Sequence, residues 1–430
     1  MSDLAPEPVA ARNDQEPLET MGNSSPSSSP MPTPENDRIA GIDVLRGFAL
    51  LGILLMNIRS FGMIGAAYFF PLAYGDLTGV NLAAWWFTDL FADSKFITLF
   101  SMLFGAGVLL QTRRGDEAGH RSGRIYYRRL LWLWLFGLGH AYLLWEGDIL
   151  VLYAIVGLLL YPLRKVRPSR LLALGVTLLV IGTAIMAGMG LSVPYWPEES
   201  VAGFNANWQP SAGEVAEELA ALRGDWLQEI RYRAPHVLEM HFMVIPFFLF
   251  WRTLGVMSIG MALFKWGLLN GRFRGAHKVF LAVLLPLGLA LSILEGVRQF
   301  AHGWDPPVAF LLDSNFGYWG SLLMAPGYLA LVFLFVERGW WKGLQARLAA
   351  VGRTALSNYL LHTLLCTFLF FGRGFGLFGK VPRIGLLGIV VAIWLLQLWL
   401  APWWLKRFRM GPAEWLWRTL TYLKPQPFRR

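Results

Sequence analysis

Between Phe136 and Tyr153 the chain reads FGLGHAYLLWEGDILVLY, with one histidine, His140, and two carboxylates, Glu146 and Asp148, inside nine positions. They fall where one long apolar run ends and the next begins. Titratable groups embedded in lipid-suited sequence are costly unless partnered or functional, so this hairpin is the first candidate site. A carboxylate within reach of the ring would hold one imidazole nitrogen and leave the other as a general base working near neutral pH. Without that partner the same histidine is a hydrogen-bonded interface residue. Asp148 follows Gly147 directly and is also well placed to cap the next helix, a role compatible with orienting His140.

Four further groups of polar residues interrupt the apolar sequence. Arg252, in FFLFWRTLGVMSIGMALFKWG, sits about halfway along a run, too deep to reach water, and must face the bundle interior; Glu295 and Asp148 are the candidate counter-charges. Asp43 and Arg46, in GIDVLRGFALLGILLMN, are three positions apart and share a helix face. They can form a local ion pair, or Arg46 can offer its planar fork to the phosphate oxygens of an anionic ligand. Glu239 and His241 should lie at the level of His140. Ser357, Asn358 and His362, in GRTALSNYLLHTLL, give one run a polar face that serves either interhelical hydrogen bonding or substrate binding.

These groups must be positioned by an unusual framework. Hydrophobic residues make up 55% of the chain and charged residues 15%, with 20 tryptophans, which is the composition of a polytopic membrane protein. Ten apolar runs, centred on 43–63, 87–110, 127–146, 148–164, 170–192, 241–266, 278–298, 315–336, 354–372 and 384–405, are candidates to cross the hydrocarbon core. The predicted fold class is an all-α membrane bundle of about ten spans. Residues 1–37, rich in Ser, Pro and Asn, read as a disordered cytoplasmic tail, 38–424 as the membrane domain and 425–430 as a C-terminal tail. With no basic segment leading into an early apolar stretch, the first span is expected to act as its own insertion signal.

The net charge of +10 comes from loops. Arg113, Arg114, Arg121, Arg124, Arg128 and Arg129 fall between the second and third runs, Arg164, Lys165, Arg167 and Arg170 between the fourth and fifth, and Lys265, Arg272, Arg274 and Lys278 between the sixth and seventh. With ten spans all lie on one side, which puts both termini in the cytoplasm of a bacterium and the protein in its inner membrane. The loop holding Arg373, Lys380 and Arg383 is the exception. Loop 193–240 falls outside and contains EVAEELAALRGDWLQEI, read as one amphipathic helix that either caps a cavity or lies along the headgroups. Because topology accounts for the basic residues, nucleic acid is not a predicted partner. Cys366 stands alone, and no HExxH, CxxC, GxxxxGK or GxSxG pattern occurs, so neither a metal nor a nucleotide-hydrolysing site is expected.

The segments RIAGIDVLRGFALLGILLMN, GHAYLLWEGDILVLYAIVG, WRTLGVMSIGMALFKWG, GRTALSNYLLHT and GPAEWLWRTLTY together resemble the bacterial YeiB-like membrane family, a domain of unknown function (418), from about residue 38 to the end. His362 stands where the resemblance would place a glutamine. That family is grouped with transmembrane acyltransferases, which implies an acyl donor such as acyl-CoA entering from the cytoplasm and a cell-envelope acceptor on the far side of the bilayer. The stretch Asp43–Gly47 matches the opening motif of that group. The group's heparan-modifying enzyme carries its catalytic histidine after the first span; here no histidine occurs between Asp43 and Gly119, so His140, with Glu146 and Asp148, takes the catalytic role. Asp43, Arg46, Arg252, Asn358 and His362 are the expected substrate-binding residues. A transporter of a small anionic solute, with Arg252 as its ligand and His140 coupling protons, and a non-enzymatic membrane protein are the alternatives. The common expectation is a watery interior lined by His140, Asp148 and Arg252.

Overall fold

Apolar runs that cannot meet water must satisfy their peptide groups internally, and all ten runs do so as helices. The computed structural model describes residues 40–117, 122–270 and 273–430, without the side chains at 40 and 113–117. The predicted tail 1–37 and the side chains of Arg113, Arg114, Arg121 and Arg272 lie outside the described residues.

Helix α1 (Ala40–Gly62) has Asp43 in its first turn and Arg59 in its last, each complementing the helix dipole. A single turn, α2 (Ala66–Phe69), leads to α3 (Gly79–Phe91) and α4 (Lys95–Glu117). These two form one kinked span, broken where Ser94 adopts a left-handed φ of 61°. Helices α5 (Gly123–Leu143) and α6 (Leu150–Leu163) make the hairpin, and α7 (Pro168–Ser192) follows with proline in its first turn. Outside the bundle lie α8 (Glu198–Trp208) and α9 (Ala212–Leu222). Helix α10 (Trp226–Glu239) runs through a π-helical stretch, Met240–Leu249, into α11 (Phe250–Lys265). In the same way α12 (Gly275–Val279) joins α13 (Leu285–Ala301) through Phe280–Leu284. Completing the chain are α14 (Ser314–Glu337), the amphipathic α15 (Lys342–Arg353), α16 (Ala355–Phe370), α17 (Arg383–Arg407) and α18 (Pro412–Tyr422).

Among the described residues seven helical segments are long and apolar enough to cross a membrane. Helices α6 and α16 are apolar but shorter, and α5 carries Arg124, Arg128 and Arg129 in its first two turns. Two expectations change. The predicted single amphipathic helix breaks at Gly224, because Ser211 with Glu214 and Asp225 with Gln228 form two separate capping boxes. The sixth span consequently begins at Trp226, and its helix runs for 40 residues. The last six residues, set apart as a tail, fold back onto the bundle: the Arg409 N–H donates to Phe428 O at 2.9 Å and Trp415 Nε1 to Gln426 O at 2.9 Å.

From Gly41 to Arg59 only Asp43, Arg46 and Phe48 are not fully buried, so α1 is the central helix. It packs against α4, α14, α15, α16 and α17. Lipid offers no hydrophobic drive for helix association, and close packing over small residues supplies it instead. A Cβ at Gly260 of α11 would collide with the Met102 backbone of α4, and one at Gly105 of α4 with the Met257 backbone. We expect Gly260→Leu to force these helices apart at a cost of roughly 1–3 kcal/mol or more. Thermal unfolding of the detergent-solubilised protein reads this as a lowered midpoint, and an unchanged midpoint would show that the α4–α11 contact is not tight.

Candidate functional site

Near the C-terminal end of α5 the buried face, which carries Leu133 and Gly137, also carries His140. Its Nδ1 lies 2.9 Å from Asp148 Oδ1, and its Nε2 lies 2.8 Å from the Thr363 hydroxyl on α16. The second carboxylate oxygen of Asp148 accepts from Val151 N at 2.8 Å, in the first turn of α6. One carboxylate therefore caps a helix and orients a ring. With Asp148 accepting at Nδ1, the neutral imidazole keeps its proton there and Nε2 accepts from Thr363.

The expected watery interior does not reach this pair. The side chains of His140 and Asp148 are each 1% exposed. Tyr359 (ring centroid 5.2 Å from that of His140) and Trp145 (6.1 Å) close over the imidazole, and Trp145 is in turn stacked on Phe61 at 4.1 Å. A small void of about 10 Å³, room for one water, lies instead among residues of α1, α3 and α17, beside Arg59, Trp85 and Arg383.

Glu146 does not join the histidine. Its Oε2 is 3.3 Å from Arg233 Nε on α10, and Arg233 also pairs with the buried Glu229 at 3.5 Å. Arg373, after α16, reaches Glu229 at 3.6 Å and donates to Leu144 O at 3.3 Å, while Trp226 Nε1 donates to Leu143 O at 2.9 Å. Helix α10 and Arg373 are thus clasped onto the hairpin, and among the described residues no cavity lies beneath them at His140. This also accounts for the basic loop that breaks the charge rule. Arg373 is engaged by Glu229, and Arg383 is buried, donating to Pro71 O at 2.6 Å and Tyr74 O at 3.1 Å. His241 sits at the level of His140, its ring 5.8 Å from Tyr142, whereas Glu239 is exposed.

Arg252 faces the interior as predicted but occupies a separate neighbourhood. One of its amino groups donates to the Thr98 and Ser321 hydroxyls, both at 2.8 Å, and the guanidinium lies over Tyr318 at 4.6 Å. Among the described residues no carboxylate is in ion-pair contact with it; Glu295 acts on it at longer range, and Asp148 is taken by His140. Tyr153, bonded to Ser101 at 2.6 Å, and Tyr359 lie within electrostatic reach of one another, of Arg252 on one side and of Asp148 on the other. Arg59 pairs with Asp93.

At the opposite end Asp43 and Arg46 form the local ion pair at 2.8 Å. Asn358 and His362 face α17: His362 Nε2 lies 2.7 Å from Gln397 Oε1, and Gln397 Nε2 donates to Asn358 O at 3.1 Å. The His362 side chain bonds across to α17, whereas the Asn358 amide turns back to its own helix start, donating to the Thr354 hydroxyl at 2.8 Å and to Thr354 O at 3.0 Å. Sequence reasoning missed three residues. Thr363 and Gln397 are single polar groups in apolar runs, recognisable only once their partners are known. Glu414 had a visible signal, a lone carboxylate in GPAEWLWRTLTY. It accepts from Leu356 N at 2.6 Å and the Ser357 hydroxyl at 2.5 Å, capping α16 from α18.

On α9, Glu218 accepts from Gly65 N at 2.8 Å. Burial, helped by the nearby Glu146, raises its carboxyl to about 7 against the opposing hydrogen bond from Gly65. A carboxyl raised on folding binds its proton more tightly in the docked state, so docking of α9 weakens as pH rises from about 4.5 to about 7. Hydrogen exchange across α9, corrected for intrinsic rates, should be slower at pH 5 than at pH 8, and Glu218→Gln should flatten the difference. Equal protection at both pH values in the unmutated protein would refute this.

Fold and site together define a polytopic helical protein of membrane type, with a sealed histidine–aspartate pair at one end of its bundle and a basic surface at the other. A family model described as "Protein of unknown function (DUF418)" matches residues 263–424. The chain is 35% identical over 397 residues to the uncharacterized protein YeiB of Escherichia coli (strain K12), covering 90% of this chain and 96% of that protein. It is 32% identical over 427 residues to the uncharacterized protein YxaH of Bacillus subtilis (strain 168), covering 93% and 98%. The chain belongs to the DUF418 family, with YeiB and YxaH. No solved structure matches it.

Proposed function

We propose that the protein is an inner-membrane acyltransferase, with both termini cytoplasmic, that moves an acyl group from a cytoplasmic thioester such as acyl-CoA to a cell-envelope hydroxyl or amine. The observation that carries this reading is the buried contact of His140 with Asp148 on one ring nitrogen and with a hydroxyl on the other. An acceptor hydroxyl taking the place of Thr363 would meet a base already oriented. As its oxygen attacks the thioester carbonyl, Nε2 removes its proton and Asp148 stabilises the imidazolium; the C–S bond then breaks and the departing sulfur takes that proton. The step balances without a redox partner. Because the pair is sealed, turnover requires the clasp of α10 and the Arg373 loop to loosen.

Full-length protein in lipid nanodiscs, given labelled acyl-CoA and an envelope extract, should transfer label. His140→Ala and Asp148→Asn should each lower the rate by about 10²- to 10⁴-fold. Transfer by His140→Ala at the unmutated rate would sink the proposal. Arg252, with neutral acceptors only in contact, favours a second reading as the ligand of a transported anion. Uptake into proteoliposomes that falls in Arg252→Gln, without acyl transfer, would establish that reading instead.

A further inference from the structure

Three arginines from separate parts of the sequence lie within electrostatic reach at the basic end of the bundle. Arg129 of α5 lays its guanidinium over the Trp417 ring of α18 at 3.8 Å, and Trp417 Nε1 donates back to Arg129 O at 2.9 Å. Arg418, next along α18, and Arg46 of α1 are both within electrostatic reach of Arg129, as are the hydroxyls of Tyr422 and Tyr126. Like charges repel, so such a grouping normally recruits acidic residues. Among the described residues Asp43 is engaged by Arg46, and Glu414, which acts on Arg418 at longer range, by Ser357 and the α16 N-terminus. Among the described residues neither Arg129 nor Arg418 has a carboxylate in ion-pair contact.

We propose that Arg46, Arg129 and Arg418 form a binding site for a phosphate-bearing anion, best matched by a diphosphate, with Trp417 holding the Arg129 fork in place. Planar guanidiniums grouped with fewer carboxylates than positive charges suit the multiple oxygens of such a group. The register of α5 connects this site to the other end. Arg129 and His140 are eleven residues apart, close to a whole number of turns, and so lie on one face roughly 16 Å apart along the axis. Leu133 and Gly137 lie between them on the buried face of that helix. That face is packed against α6, with Gly137 against the Val151 backbone. The inference deepens the acyl-transfer reading and rests on it only for which phosphate compound is expected.

Binding of unacylated CoA, which cannot be turned over, is measured with the full-length protein in nanodiscs lacking anionic lipid, with ADP as competitor. We expect binding that weakens with rising salt, is displaced by ADP, and falls by about tenfold in Arg418→Gln. Arg418→Lys, which keeps the charge, should retain part of the affinity, and an unchanged thermal midpoint in both variants separates lost binding from lost folding. If CoA and ADP do not bind but Arg418→Gln loses co-purified phosphatidylglycerol, the site stands and its phosphate belongs to a lipid headgroup. No binding of CoA or ADP with co-purified phosphatidylglycerol unchanged in Arg418→Gln, or equal CoA binding by unmutated protein and Arg418→Gln, would overturn the inference. His140→Ala that loses transfer yet binds CoA normally would confirm the two sites as separable, whereas CoA binding in a protein that never transfers label would defeat only the acyl-transfer reading.

Discussion

The two oxygens of Asp148 hold the hairpin together. One accepts from the ring of His140 and the other from the first turn of α6, so the turn, the helix before it and the helix after it are fixed by a single carboxylate. The far side of the same ring reaches Thr363 and so ties α16 to the pair. In an apolar interior each of these polar groups would be costly alone, and their mutual satisfaction is what makes the cluster tolerable. The same rule shapes the rest of the molecule. Arg383 and Lys95 are buried against backbone carbonyls, and Arg233 and Arg373 against Glu229.

Much of this was legible in the residues. The apolar runs gave the helices, and the spacing of His140 and Asp148 across a glycine gave their contact, because the hairpin keeps sequence neighbours close in space. Asp43 and Arg46 were equally readable, being one turn apart. What stayed hidden depends on long-range packing. Glu146 and Asp148 are two positions apart, yet one turns inward to the ring and the other outward to Arg233, a division that only the entry of α10 decides. Thr363 could not be distinguished from other isolated hydroxyls, since its partner is 223 residues away. The open interior was misjudged because the aromatic residues that mark a membrane interface, Trp145 and Tyr359, are used here as stoppers.

The two ends of the bundle are built differently. At one, carboxylates outnumber their immediate needs and clasp arginines from the outer helices. At the other, segments far apart in sequence converge on glycine and backbone contacts: a Cβ at Gly47 would strike Leu348 O, and one at Gly352 would strike Asp43 O. That end leaves Arg129 and Arg418 without a carboxylate in ion-pair contact among the described residues.

The central position of α1 bears on how the chain is made. It is the first of the described helices to leave the ribosome, yet apart from α4 the principal walls around it, α14 to α17, are among the last. For most of synthesis α1 must wait in the membrane with lipid where α15 and α16 will later pack. Assembly is therefore completed from the C-terminal third, and a chain cut short before α14 would leave its most enclosed helix with α4 as its one principal wall.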